Sequence, residues 1–103
     1  MQMVKNTPTA AKKVDAPIDG RIMHSADKFE AILLTLNQGE QIPAHGNPFD
    51  VFFTLMEGHA LIKGDDQAFE LAPLETLYIP AGLSRALENT GPQPARLMVF
   101  KVF

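Results

Sequence analysis

The chain has no cysteine, which excludes disulfides, zinc–thiolate sites and thiol nucleophiles. It is also short of positive charge, with nine Lys and Arg against twelve Asp and Glu, a net charge of −3 and a pI near 5.5. The basic residues are scattered and Lys12-Lys13 is the only adjacent pair. That is not the footprint of a nucleic-acid binder, and no nucleic acid is expected as a partner. Long apolar runs are missing too, so no segment is expected to span a bilayer. The N-terminal M-Q-M-V-K-N-T-P-T-A-A-K-K lacks the apolar centre of a signal peptide, and the expected location is cytoplasmic. There is no internal repeat and no low-complexity segment.

What is present is apolar material: 46% of 103 residues, enough for one domain with its own core. A chain of this size buries roughly 60–70% of its unfolded surface, so its margin is thin, and forming a homodimer would widen it. Residues 1–20 hold Pro8, Pro17 and small polar residues with little periodicity. They read as an arm, flexible or strand-exchanged in a dimer, ahead of a β-barrel domain over residues 21–103. T-A-A-K-K could form a turn of helix, too short to stand alone.

From Arg21 on, short β-prone runs alternate with turn clusters, an all-β pattern. The predicted strands are Arg21–His24, Phe29–Asn37, Val51–Met56, His59–Lys63, Ala68–Leu71, Thr76–Ile79, Arg85–Asn89 and Ala95–Val102. Gly, Asn, Asp and Pro between them mark reversals. G-L-S-R-A-L-E-N has some helical spacing, but flanking Pro80 and N-T-G-P favour a strand. Eight strands in so short a chain should close into a barrel or two-sheet jelly roll, because an open sheet would leave long edges. The last run is apolar on both alternating faces: Met98, Phe100 and Val102 on one, Leu97, Val99 and Phe103 on the other. One face belongs in the barrel and the other needs cover, which a second subunit would provide.

The stretch G-E-Q-I-P-A-H-G-N-P-F-D-V-F-F-T-L-M-E-G, Gly39 to Gly58, resembles the first motif of the cupin family. That motif is Gly, five residues, His-x-His, three or four residues, Glu, six residues, Gly. His45 stands at the first histidine, Asn47 replaces the second, Val51 replaces the glutamate, and Gly58 closes the motif. After fifteen intervening residues, L-E-T-L-Y-I-P-A-G-L-S-R-A-L-E-N resembles the second motif from Leu74 to Asn89. Pro80, Gly82 and Asn89 match it, Leu74 replaces the leading glycine and Arg85 replaces the histidine. The resemblance spans Phe29 to Phe103. It implies the cupin double-stranded β-helix, or jelly-roll barrel, in which three histidines and a glutamate hold a divalent metal.

Of those four ligands only His45 remains, so His45 is the one metal candidate if a metal is present. Asn47 offers a weak carbonyl donor, Val51 none, and Arg85 has no lone pair to give. A guanidinium about 4 Å from a cation costs about 4 kcal/mol per charge product at an effective dielectric near 20, and double for a divalent ion. Asp50 could pair with Arg85 at the barrel mouth. His24 and His59 are the other imidazoles, both read as surface or half-buried residues.

Strand alternation places His45, Asn47, Val51, Phe53 and Leu55 inside, facing Arg85, Leu87 and Asn89. The expected cavity is apolar with a few polar groups at one end, the usual make-up of a small-molecule site. Arg85 suits a carboxylate or phosphate, and His45 is the candidate general base, with Asp50 or Glu75 as its orienting acid. Asn47, Phe53, Tyr78, Arg85 and Asn89 are the candidate ligand-binding residues, Tyr78 at the mouth. Three functions compete. One is a homodimer binding a small, anionic organic ligand without a tightly held metal. The second is a metal-dependent dioxygenase, isomerase or decarboxylase with a rebuilt ligand set. The third is an accessory module whose barrel is packed shut.

Overall fold

The computed structural model describes residues 2–103. Ten strands run in the order β1 (Lys12–Lys13), β2 (Asp19–Ser25), β3 (Phe29–Leu36), β4 (Gln41–His45), β5 (Asp50–Glu57), β6 (Ala60–Lys63), β7 (Ala68–Leu71), β8 (Thr76–Ile79), β9 (Arg85–Glu88) and β10 (Ala95–Val102). They form two antiparallel sheets, β1-β2-β3-β10-β5-β8 and β4-β9-β6-β7. From β3 on, the chain crosses between sheets at every connection except β6–β7, which is the jelly-roll path the turn spacing predicts.

Period-two alternation sets which face is inside. Ile32, Leu34 and Leu36 of β3, Val51, Phe53 and Leu55 of β5, and Ala95, Leu97 and Val99 of β10 are buried and in register across the large sheet. Ile62 and Leu87 of the small sheet pack against them. A slip of one residue in any of these strands would carry its apolar set out to solvent. The segment from Gly82 to Asn89 contains strand β9, not a helix, because Arg85 and Leu87 must both face inward.

Two strands lie outside the predicted set. β4 carries Pro43 and one strongly apolar residue, Ile42, so its composition does not signal a strand. It is tolerated at the edge of the small sheet, where proline's missing donor is not needed. β1 is two lysines paired to β2; beside it Ala11 is buried and the Val14 amide donates to the Gly20 carbonyl. β2 starts at Asp19, two residues ahead of the expected start of the barrel domain at Arg21.

Two backbone positions show why the motif carries glycine where it does. Gly58 has φ +86°, and a Cβ there would meet the Pro94 carbonyl oxygen at 2.5 Å. Leu74, at the position where the resemblance expects glycine, has φ +74°. Its side chain is exposed and its amide donates to the Leu55 carbonyl at 2.7 Å. A non-glycine residue held there costs about 1–2 kcal/mol. Leu74→Gly is therefore expected to raise stability by roughly 0.5–1 kcal/mol after the unfolded-chain entropy is counted. A urea midpoint that is unchanged or lower would show that the turn carries no strain.

Candidate functional site

Arg85 enters the barrel from β9, flanked by the edge strand β4. In that ladder Arg85 is the cross-strand partner of His45. A bulge between Ile42 and His45 sets Pro43 and Ala44 against the single residue Ala86, and so keeps His45 on the same side as Arg85. The next loop brings Asn47, whose backbone carbonyl accepts from the Gly82 amide at 2.7 Å and ties the two motif loops together. Facing two donors, the Asn47 side chain presents its oxygen to Arg85, accepting from Nη2 at 2.7 Å and Nη1 at 3.1 Å. Nη1 also lies 3.4 Å from the His45 carbonyl oxygen, and the Phe53 ring centroid is 5.8 Å from the guanidinium carbon.

Arg85 is 5% exposed, and its Nε–H has no partner among the described residues. None of the ion pairs there involves it. Burial pulls its pKa down from the ordinary value, yet a guanidinium stays protonated. Among the described residues, this interior cation is compensated only by a side-chain amide, a backbone carbonyl and an aromatic face.

Beside it lies a cavity of about 340 Å³, walled mainly by apolar side chains such as Ile32, Leu34, Ile42 and Leu87. Arg85, His45, Asn47, Gln41 and Lys101 are the polar groups on its wall. The expected grouping of His45, Asn47, Phe53 and Arg85 is therefore present. His45 sits at the exposed rim with Nδ1 3.1 Å from the Pro43 carbonyl oxygen. A carbonyl only accepts, so in a neutral ring that contact puts the proton on Nδ1 and leaves the Nε2 lone pair free.

Several expected members are elsewhere. Tyr78 lies on the outer face of the large sheet, its ring 5.1 Å from Phe52, away from the Arg85–His45 cavity. It borders a second cavity of about 320 Å³ between β6, β7 and β8, which Arg85 also borders. Partial desolvation, and then the nearby Asp50 carboxylate, raises the Tyr78 phenol above its ordinary value. Asp50 accepts from the Ala81 amide at 2.9 Å and does not pair with Arg85. Glu75 accepts from the Ala72 amide within its own turn, so neither acid orients His45. His24 stacks on Phe29, and His59 lies 3.8 Å from Glu70 at the surface.

Asn89 is a structural fastener rather than part of the cavity wall. It is 1% exposed; its amide nitrogen donates to the Leu36 and Gln93 carbonyls at 2.9 and 2.7 Å, and its oxygen accepts from the Gly91 amide. Alternation alone pointed it inward, and the local hydrogen bonds take up its polar atoms. Among residues 1–20, Val14, Pro17 and Ile18 form one wall of the cavity, a role not foreseen from the sequence. The available signal was Val14 and Ile18, branched apolar residues just ahead of the first predicted strand.

The donor set does not fit a divalent metal. Val51 is 1% exposed within the core, the Asn47 oxygen is held by Arg85, and His45 stands alone. No cluster of three His, Cys, Asp or Glu forms among the described residues. The fixed charge of Arg85 would repel a cation where the family places one.

Fold and cavity define a small single-barrel protein with an apolar cavity between its two sheets. The cupin domain family matches residues 32–101, more than half the chain, and the protein belongs to that family. No curated protein gives a significant match. Among solved structures, an RmlC-like cupin from Shewanella frigidimarina is 11% identical, with a TM-score of 0.85 over 98% of this chain and 91% of its own. The polyketide cyclase RemF from Streptomyces resistomycificus is 20% identical, with a TM-score of 0.85 over 98% of this chain and 80% of its own. KdgF from Halomonas is 14% identical, with a TM-score of 0.77 over 90% and 87%. At these identities the likeness is one of fold. No helix is long and apolar enough to cross a membrane among the described residues.

Replacing Asn89 with alanine should cost about 2–3 kcal/mol, since it leaves the Leu36 carbonyl and the Gly91 amide without their partners. Urea denaturation measures this, and a loss below about 0.5 kcal/mol would mean water replaces the side chain at no cost.

Proposed function

We propose that this chain binds a small organic anion in its barrel, with Arg85 as the anion anchor and no resident divalent metal. The observation that carries the reading is a buried guanidinium with no carboxylate partner among the described residues and an unfilled Nε–H, beside an apolar cavity. Burying an unpaired charge costs several kcal/mol, a cost that an entering carboxylate would offset through two parallel charge-assisted hydrogen bonds. Phe53 would cover one face of the guanidinium, and Asn47 would hold it in place. His45, with Nε2 open at the rim, would accept a hydrogen bond or proton from the ligand.

The cavity supports this reading over an accessory module with a packed interior. The donor chemistry supports it over a metal-dependent dioxygenase, isomerase or decarboxylase. The polyketide cyclase among the structural neighbours is an instance of this barrel serving an organic substrate. Arg85→Met is expected to abolish the thermal shift produced by benzoate and similar anions. The ligand-free midpoint should stay the same or rise, because a buried ion replaced by an apolar side chain is often neutral or stabilising. Retained binding together with a large loss of stability would make Arg85 a structural residue instead.

A second copy of the chain is the partner assigned to the outer face of the large sheet. There the ladders align His24, Ala31, Phe100, Phe52 and Tyr78 in one row across five strands. Leu33 and Met98 lie in the neighbouring row, and the Arg96–Glu57 ion pair at 3.1 Å lies beyond it. An apolar centre with a charged margin on one two-sided sheet suits self-complementary pairing about a two-fold axis. Light scattering should give twice the 11.3 kDa chain mass for the wild type and the single-chain mass for Phe100→Glu. A wild type that is monomeric at high concentration would remove the assignment.

A further inference from the structure

Lys101 is the second cation on the cavity wall, and it is treated differently from Arg85. It is inward-facing on β10, two residues beyond Val99 and so about 6.6 Å farther along the strand. Its ladder partners are Glu30 on one side and Val51 on the other. Its Nζ lies 3.7 Å from Glu30 Oε1 and 5.8 Å from the Phe49 ring centroid. Glu30 is itself mostly buried, and its other oxygen accepts from the Ser25 hydroxyl at 3.0 Å. This wall therefore carries two cations, of which one is already matched by an acid.

The donor left without a partner on Arg85 is equally specific. Asn47 takes the Nη1/Nη2 end of the fork. The side edge, formed by Nε–H and the adjacent N–H of Nη2, retains an Nε that no described residue meets. That edge is the one that can donate to the two oxygens of one carboxylate. A dianion would satisfy it with one charge and carry the other, unpaired, into an apolar enclosure.

We propose that the Glu30–Lys101 pair sets the charge of the ligand. By neutralising Lys101 it leaves Arg85 as the single uncompensated cation, so the site takes monocarboxylates with an apolar body and rejects dicarboxylates and phosphate monoesters. The inference rests on the anion-binding reading above. It makes Glu30, which does not itself line the cavity, a specificity-determining residue that acts through Lys101.

The test is calorimetric titration with four probes of one chain length: hexanoate, adipate, hexyl phosphate and 1-hexanol. Wild-type protein is expected to bind hexanoate at least about tenfold more tightly than the other three, the size of effect that one unpaired charge or donor produces. In Glu30→Gln, which keeps the shape and the hydroxyl contact, the freed Lys101 should raise adipate affinity relative to hexanoate by about tenfold. Adding Lys101→Gln to that variant should restore the preference for hexanoate. Adipate or hexyl phosphate binding the wild type as well as hexanoate, with both lost in Arg85→Met, would overturn the charge rule and leave Arg85 as the anchor. A hexanoate preference unchanged in Glu30→Gln would remove the role of the pair. No binding by any anion, or binding that persists in Arg85→Met, would overturn this inference and the anion-binding reading together.

Discussion

A guanidinium placed between two β-sheets has to be held as well as tolerated, and much of the local architecture around Arg85 does one or the other. The bulge in β4 brings the His45 carbonyl to Nη1, and the loop that follows delivers the Asn47 oxygen to both terminal nitrogens. That loop is fixed by the bond from the Gly82 amide to the Asn47 carbonyl. Phe53, on the opposing sheet, supplies its face. These contacts are all neutral, so they compensate the charge in part and leave the Nε–H without a partner among the described residues. An incompletely satisfied buried cation beside an open cavity is the feature that gives the pocket its chemistry.

The same positions explain how this barrel departs from the metal-bearing pattern of its family. Val51, where the resemblance expects a glutamate, is absorbed into the core, paired with Ile79 of β8. Arg85, where it expects a neutral histidine donor, puts a fixed positive charge at the same place. The scaffold is indifferent to the exchange, because what holds the loops is backbone geometry and Asn89, whose three side-chain hydrogen bonds bind β3 to the loop before β10. A β-sandwich of this kind can change its interior polarity while its turns stay in register.

The segment before β2 belongs to the site as much as to the fold. Its pairing through β1 covers one seam between the sheets, and Val14 and Ile18 close the cavity there. Without that wall the apolar volume would be a groove. The opposite seam, between β7 and β8, has its own cavity, so Arg85 lies between two openings of the sandwich.

Much of the fold is legible in the sequence because alternation in the strands from Phe29 to Val102 and glycine or proline at fixed turns are local, repeated signals. Ala95–Val102 and Thr76–Ile79 fall where the pattern predicts for that reason. β4 escapes it because a proline-bearing edge strand owes its pairing to β9 rather than to its own residues. Within the site, spacing alone brings His45, Asn47, Phe53 and Arg85 to one interior. It could not show that Asn89 spends its amide on Leu36 and Gln93, that Tyr78 turns outward, or that Asp50 serves Ala81 instead of Arg85. The sequence by itself determined the barrel, the loss of metal donors and the presence of an interior cation. Only the tertiary structure decided which polar groups that cation meets and which cation Glu30 neutralises, because hydrogen-bond partners are chosen between strands far apart in the chain, where register and side-chain reach act together.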